Sequence, residues 1–198
     1  MKTKLLSFIL VIAFLLGATT LTKAQIRPSA TLTDVSAIAL MKPTDNTRGL
    51  ILGESVDKAV QVLGTPTTIT NEYFETDGVM ATVYHYNSSK LYFVNNKLDT
   101  YDLTDGSIAV GTINGKTFKI GDKLLVTNTV TPGRPDRGPT KSFLNFPLNG
   151  RAPGKFNGIR YSIISDTFLK NGTTQLDSRL GLLFDSQDQL VYIYVHDN

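Results

Sequence analysis

Thr33–Leu40 reads TDVSAIAL, and Thr104–Val110 reads TDGSIAV. The echo runs on past these words. Leu52-Gly53-Glu54 matches Ile120-Gly121-Asp122, and LYFVNNKLDTY from Leu91 resembles LLFDSQDQLVYIY from Leu182. In that last pair Phe93 answers Phe184 and Leu98 answers Leu190. Thr33 and Thr104 stand about 70 residues apart, Leu98 and Leu190 about 90. The order is kept and the spacing grows, as it would for two copies of one supersecondary unit with an insertion in the second.

The first copy is punctuated clearly. In GESVDKAVQVLGTP, Ser55 is an N-cap residue and Asp57 sits in the first turn, where the helix dipole favours a negative charge. Val56, Ala59, Val60 and Leu63 recur at helical spacing, Gly64 suits a left-handed cap, and Pro66 stops continuation. Val79–Tyr86, Lys90–Val94 and Lys97–Leu103 read as strands joined by turns, with Asn95-Asn96 as a tight one. Asn114-Gly115 is a strong hairpin signal. The second copy has strand patterns at Gly158–Ser165, Leu180–Asp185 and Leu190–His196, but DKLLVTNTVTPG is a poorly written helix. Residues 127–158 are rich in proline, glycine and arginine and read as a long exposed loop. The expected fold is α+β: two tandem units of a short helix and an antiparallel meander, helices on one face of the sheet. The expected units are 25–104 and 105–198.

Residues 1–24 read as a signal peptide. Two lysines fall within Met1–Lys4, Leu5–Leu16 is almost wholly apolar, and small residues precede Gln25. Export to the periplasm or the medium is expected, with no transmembrane segment after cleavage. There is no cysteine, so no disulfide supports the fold and no lipid anchor is attached through one. Three of the twenty basic residues lie in the signal, which leaves 17 bases against 17 acids. That balance argues against nucleic acid as the partner. The charge is uneven. Glu72, Glu75 and Asp77 lie between Lys58 and Lys90 with no base among them, whereas Arg134–Arg160 holds six bases against Asp136.

Leu52, Gly53, Val60, Leu63, Gly64 and Pro66, with Tyr86, Phe93 and Leu98, carry a resemblance over Leu50–Leu103. The stretch resembles the unit shared by the β-lactamase inhibitor protein and the small outer-membrane assembly lipoproteins. Likeness to the first implies tandem units forming a concave sheet that grips another protein; likeness to the second implies an envelope scaffold. The chain lacks the cysteines of both.

Chemistry is sparse. His85 and His196 supply the only imidazoles, and no clustered Cys/His spacing for a zinc site occurs. The functional reading of the two histidines pairs them with Asp197; the plain reading makes each an ordinary polar strand residue. Asp99 with Asp102, and Asp185 with Asp188, read as turn and strand-end acids. No cofactor is expected. The aromatic residues are the stronger signal. Tyr84 and Tyr86 share one strand face, Tyr192 and Tyr194 another, and Tyr92 alternates with Leu91 and Phe93. If the aliphatics face the helices, these tyrosines form an outer stripe suited to binding. Arg134, Arg137 and Lys141 form a second candidate surface, suited to steering an acidic partner. The expected function is an exported, non-catalytic binding or scaffold module for a protein or envelope component. The alternative is a secreted hydrolase using Asp and His.

Overall fold

Asp34 and Asp105, the second letters of the echoing words, make the same local bond. Asp34 Oδ1 accepts from the Ser36 amide at 3.0 Å and the Ser36 hydroxyl at 2.7 Å. Asp105 Oδ1 accepts from the Ser107 amide at 2.8 Å. Each caps the turn that leads into a buried isoleucine, Ile38 or Ile108. The structure is a computed structural model that describes residues 32–75, 77–127, 140–144, 146, 148 and 151–197. The signal-peptide reading lies outside those residues. No helix among them is long and apolar enough to cross a membrane.

The described chain runs β1 (Leu32–Asp34), a 3-10 turn (Val35–Ile38), β2 (Ala39–Lys42), β3 (Asp45–Leu50), α1 (Val56–Leu63), β4 (Thr68–Phe74) and β5 (Val79–Tyr86). It continues with β6 (Ser89–Val94), β7 (Lys97–Leu103), β8 (Ala109–Gly111), β9 (Thr117–Lys119), β10 (Leu125–Thr127) and β11 (Thr140–Ser142). The last strands are β12 (Arg151–Phe156), β13 (Ile159–Asn171), β14 (Thr174–Phe184) and β15 (Leu190–Asp197).

The expected α+β fold of two helix-plus-meander units is wrong. The protein is mainly β, with one short α-helix among the described residues. A nine-stranded mixed sheet has the order β1-β13-β14-β15-β7-β6-β5-β4, and β12 also pairs with β13. A separate antiparallel sheet has the order β3-β2-β8-β9, and β10 pairs with β11. The echoing words thus lie side by side, Leu40 opposite Val110 in the small sheet. The large sheet has a seam where β7 meets β15, with Tyr101 opposite Val195 and Leu103 opposite Ile193.

Where the second helix was expected, Leu125–Thr127 forms β10. After Asp122 the chain reads KLLVTNTV, rich in β-branched residues that lose side-chain freedom in a helix, and it has no stop signal. The region 127–158 is not simply an exposed loop either. It contains β11 and β12, and Phe143 is buried in the main core. Pro153 is tolerated in β12 because, among the described strands, β12 pairs with β13 alone and its register shifts between Arg151 and Gly154.

The helix forms as its punctuation predicts. Ser55 Oγ accepts from the Lys58 amide at 3.3 Å, and the Gly64 amide donates to Val60 O at 2.9 Å. Its buried face is Ala59, Val62 and Leu63, while Val60 is exposed. The helix, the 3-10 turn and the small sheet cover one face of the large sheet. Leu40, Leu50, Val62, Leu63, Val110 and Phe118 share a core with Leu91, Phe93, Tyr101, Leu182, Phe184 and Ile193. The opposite face, which none of these elements covers, has its own small buried cluster of Ala81, Val83 and Tyr92 with Phe74 and Val94 against it, and carries polar groups beside it.

Candidate functional site

Strand alternation decides which side chains reach the uncovered face. In β15, Ile193 and Val195 enter the core, so Tyr192, Tyr194 and His196 point the other way. In β7 a bulge intervenes. Phe93 faces Leu98 and Tyr92 faces Thr100, which leaves Asp99 as the extra residue. Tyr101 and Leu103 then return to the core, and Asp102 points outward. Bulges re-aim side chains in this way. Here one sets Asp99, Thr100 and Asp102 around one cleft.

Asp102 is the centre of the arrangement. Its Oδ1 accepts from Tyr192 Oη at 2.5 Å and from His196 Nε2 at 3.0 Å; its Oδ2 accepts from Tyr92 Oη at 3.2 Å. Asn157 Nδ2 donates to Tyr192 Oη at 3.0 Å. Burial works against a charge on Asp102, but the bonds from His196, Tyr192 and Tyr92 outweigh it and hold the carboxyl below its ordinary value. The phenols shift the opposite way. Burial and then the Asp102 carboxylate push Tyr92 and Tyr192 well up, so both keep their protons. Because Tyr192 and His196 are on β15 and Asp102 on β7, this network also ties the two halves of the sheet across the seam.

An aromatic layer lies beside it. Phe156 stacks on Tyr194 with centroids 4.6 Å apart and planes at 18°, and the Tyr194 and His196 rings are 5.0 Å apart. The ring of Tyr194 lies over Gly181, where a Cβ would stand 2.0 Å from a ring atom; only glycine fits there. Burial, then the nearby Asp166 carboxylate, pushes Tyr194 up to about 12.

The cleft has a volume of about 520 Å³. Six carboxylates line it: Glu72, Glu75, Asp77, Asp99, Asp102 and Asp197. Phe74 and Tyr92 supply aromatic surface, with ring centroids 5.5 Å apart. No lysine or arginine is among the described lining residues, and His196 is the one basic group. Lys90, which is not among the lining residues, lies 3.9 Å from Glu72 and 6.0 Å from the centroid of the Tyr92 ring. Burial, then the charges of Asp197 and Asp77, raises Asp99 above its ordinary value. Asp99 is therefore near enough to Asp197 and Asp77 to feel their charge. Among the described residues no three His, Asp or Glu side chains are placed to hold a metal ion.

The tyrosines read as one outer stripe are divided between two faces. Tyr92, Tyr192 and Tyr194 are on the face away from the helix, where Tyr92 and Tyr192 are buried. Tyr84 and Tyr86 are on the covered one, because Val83 lies opposite Tyr92 and its neighbours must face inward. Tyr84 packs on Phe93 with centroids 4.9 Å apart. Tyr86 is buried, donates to Gly64 O at 3.0 Å at the end of α1, and is pushed up to about 12 by burial and then by Tyr84. Arg134 and Arg137 lie outside the described residues; Lys141 is in β11, with its side chain outside them.

The histidines do not meet. His85 bonds Thr70 Oγ1 at 2.9 Å on β5, and β6 and β7 stand between it and His196. His196 pairs with Asp102, while Asp197 accepts from Ser178 Oγ at 2.7 Å. The turn-acid reading of Asp99 and Asp102 missed the bulge. Phe156 and Asn157 were hidden in the expected loop, although Asn157-Gly158 before an apolar strand is itself a hairpin signal. Compared with family models, curated proteins and solved structures, the chain matches none.

Proposed function

We propose that the protein is an exported, non-catalytic binding module whose cleft accepts a cationic group carried on a partly apolar ligand, such as the lysine or arginine side chains of a protein partner. The observation that carries this reading is the set of six carboxylates around one aromatic-lined cleft. A cation entering it offsets the burial and the charges of Asp197 and Asp77 that raise Asp99, and meets the aromatic surface of Phe74. A cation over an aromatic ring contributes about 0.5–2 kcal/mol, depending on how much water is removed. Without residues 1–24 the chain balances 17 bases against 17 acids, so an acidic cleft on it fits a site that selects by local field rather than net charge.

Hydrolysis has one observation on its side, the Asp102–His196 pair at 3.0 Å. The same carboxylate is already bonded to two phenols that are held protonated, and these are weak nucleophiles. Asp102 serves the seam first, which favours binding over chemistry.

The test is titration of labelled hexalysine into the protein and into a variant carrying Glu72→Gln, Asp77→Asn, Asp99→Asn and Asp197→Asn. The native protein is expected to bind, to weaken as salt rises, and to lose about tenfold or more in the variant. Equal affinity in the two proteins removes the cleft from cation binding.

A further inference from the structure

We propose that the free edge of β4 takes an extended basic peptide segment as an added strand, with basic side chains alternating over the cleft and apolar ones over the opposite face. The proposal deepens the cation-binding reading and rests on it.

Strand β4 ends the large sheet and pairs only with β5 among the described strands. Its residues Thr68–Tyr73 are all exposed. Sheet edges are usually blunted by proline, charged side chains (lysine above all), a bulge or a covering element. Thr68–Phe74 reads TITNEYF, with Glu72 as its one charge and neither proline nor lysine, and its seven pairings with β5 run without a register shift. It is a regular row of backbone donors and acceptors, the substrate for strand addition.

The two faces of this edge differ in chemistry. Glu72 and Phe74 lie opposite Ala81 and Val79 on the uncovered face, where they line the cleft. Ile69 and Tyr73 lie opposite Tyr84 and Met80 on the other face. There Ile69, Tyr73 and Met80 are 54%, 56% and 58% exposed. Side chains of an incoming strand alternate between these two faces. One set meets carboxylates and the other meets apolar surface, so the fitting sequence alternates basic and apolar residues. A second copy of β4 fits poorly, because it brings two acidic clefts together and opposes like charges.

The experiment uses the full chain and a labelled heptapeptide alternating lysine and valine. Two control peptides carry N-methyl groups, one on the valines and the other on the inner lysines. The amide groups of a strand point alternately to its two sides, so only one set can face β4. The unmodified peptide is expected to bind, one methylated peptide to lose about tenfold or more and the other to keep its affinity. Hydrogen exchange at Thr70–Tyr73 is expected to slow on binding. Equal binding by all three peptides, weakened alike by the neutralised cleft, overturns strand addition and leaves the cleft reading standing. Failure of both hexalysine and the heptapeptide to bind overturns the two together. A dimer that protects Thr70–Tyr73 without any peptide overturns the choice of partner.

Discussion

Two turns in this protein are built alike and lead to different structures. Gly53 N donates to Leu98 O at 2.7 Å, and Leu98 N returns to Glu54 O at 2.8 Å. Gly121 N donates to Leu190 O at 2.9 Å, and Leu190 N returns to Asp122 O at 2.8 Å. The acid of each turn also takes a backbone amide three residues earlier, Ile51 in one and Lys119 in the other. Beyond the first turn the chain enters α1. Beyond the second it enters β10, and the core is sealed by rings: Phe143 lies 5.2 Å from Phe118 and 5.0 Å from Phe184, and Phe146 lies 5.4 Å from Phe118. An anchoring turn sets where the chain leaves the sheet. The pattern that follows it decides what covers the core.

The comparison breaks most readily at its two plugs. Phe143→Ala should cost about 3–5 kcal/mol and Leu63→Ala about 2–5, since both side chains are buried. Denaturant unfolding of each variant measures this. A Phe143→Ala midpoint equal to that of the parent means the rings are not what closes the second half. Next in size are the turns themselves. Gly53 and Gly121 have φ of +83° and +101°, and a Cβ meets nothing within 4 Å at Gly53 and only Gln189 Nε2 at 3.6 Å at Gly121. Replacement by alanine therefore tests the backbone alone and should cost about 1–2 kcal/mol at each position. A large difference between the two losses shows that the turns are not equivalent in energy.

The smallest effect separates the echoing aspartates. At Asp105 burial opposes ionisation, but bonds from Ser107 and Ser88 outweigh it and hold the carboxyl at about 2. The Ser36 hydroxyl, then its amide, lowers Asp34. A depressed folded value means the stabilisation is complete above the unfolded value of about 4 and is lost as pH falls through the folded one. Asp105→Asn should flatten the fall in stability between about pH 4 and pH 2. Asp34→Asn should do so less, because Asp34 is more exposed. An equal change in the two acid-unfolding curves removes the distinction.

Local words were legible and distant partnerships were not. The cap at Ser55, the turn at Asn95-Asn96 (φ 51° and 61°) and the hairpin at Asn114-Gly115 each depend on neighbours a few residues away. Val60 and Val62 exchanged roles because both are apolar and only the tertiary contact orients the short helix. The facing of Tyr84 and Tyr86 turned on strand parity, which composition does not carry. Asp102 was the least readable. Tyr192 and His196 are 90 and 94 positions away from it, and the bulge that aims it leaves no mark in a pattern of alternation. Glu72, Glu75 and Asp77 stood out as acids without bases, but Asp99 and Asp197 joined them only through the fold.

The seam between β7 and β15 carries a consequence for how the molecule folds. Tyr101 pairs with Val195 across most of the second half of the chain. Closing a loop of that length costs roughly 4 kcal/mol in chain entropy before any contact repays it. The β4–β7 meander is made of sequence neighbours and is free of that delay, so the first half is expected to organise ahead of the seam. Until Leu190–Asp197 docks, both β7 and β14 present bare edges in the middle of what becomes the widest sheet. The interval before that docking is the chain's period of greatest exposure to aggregation.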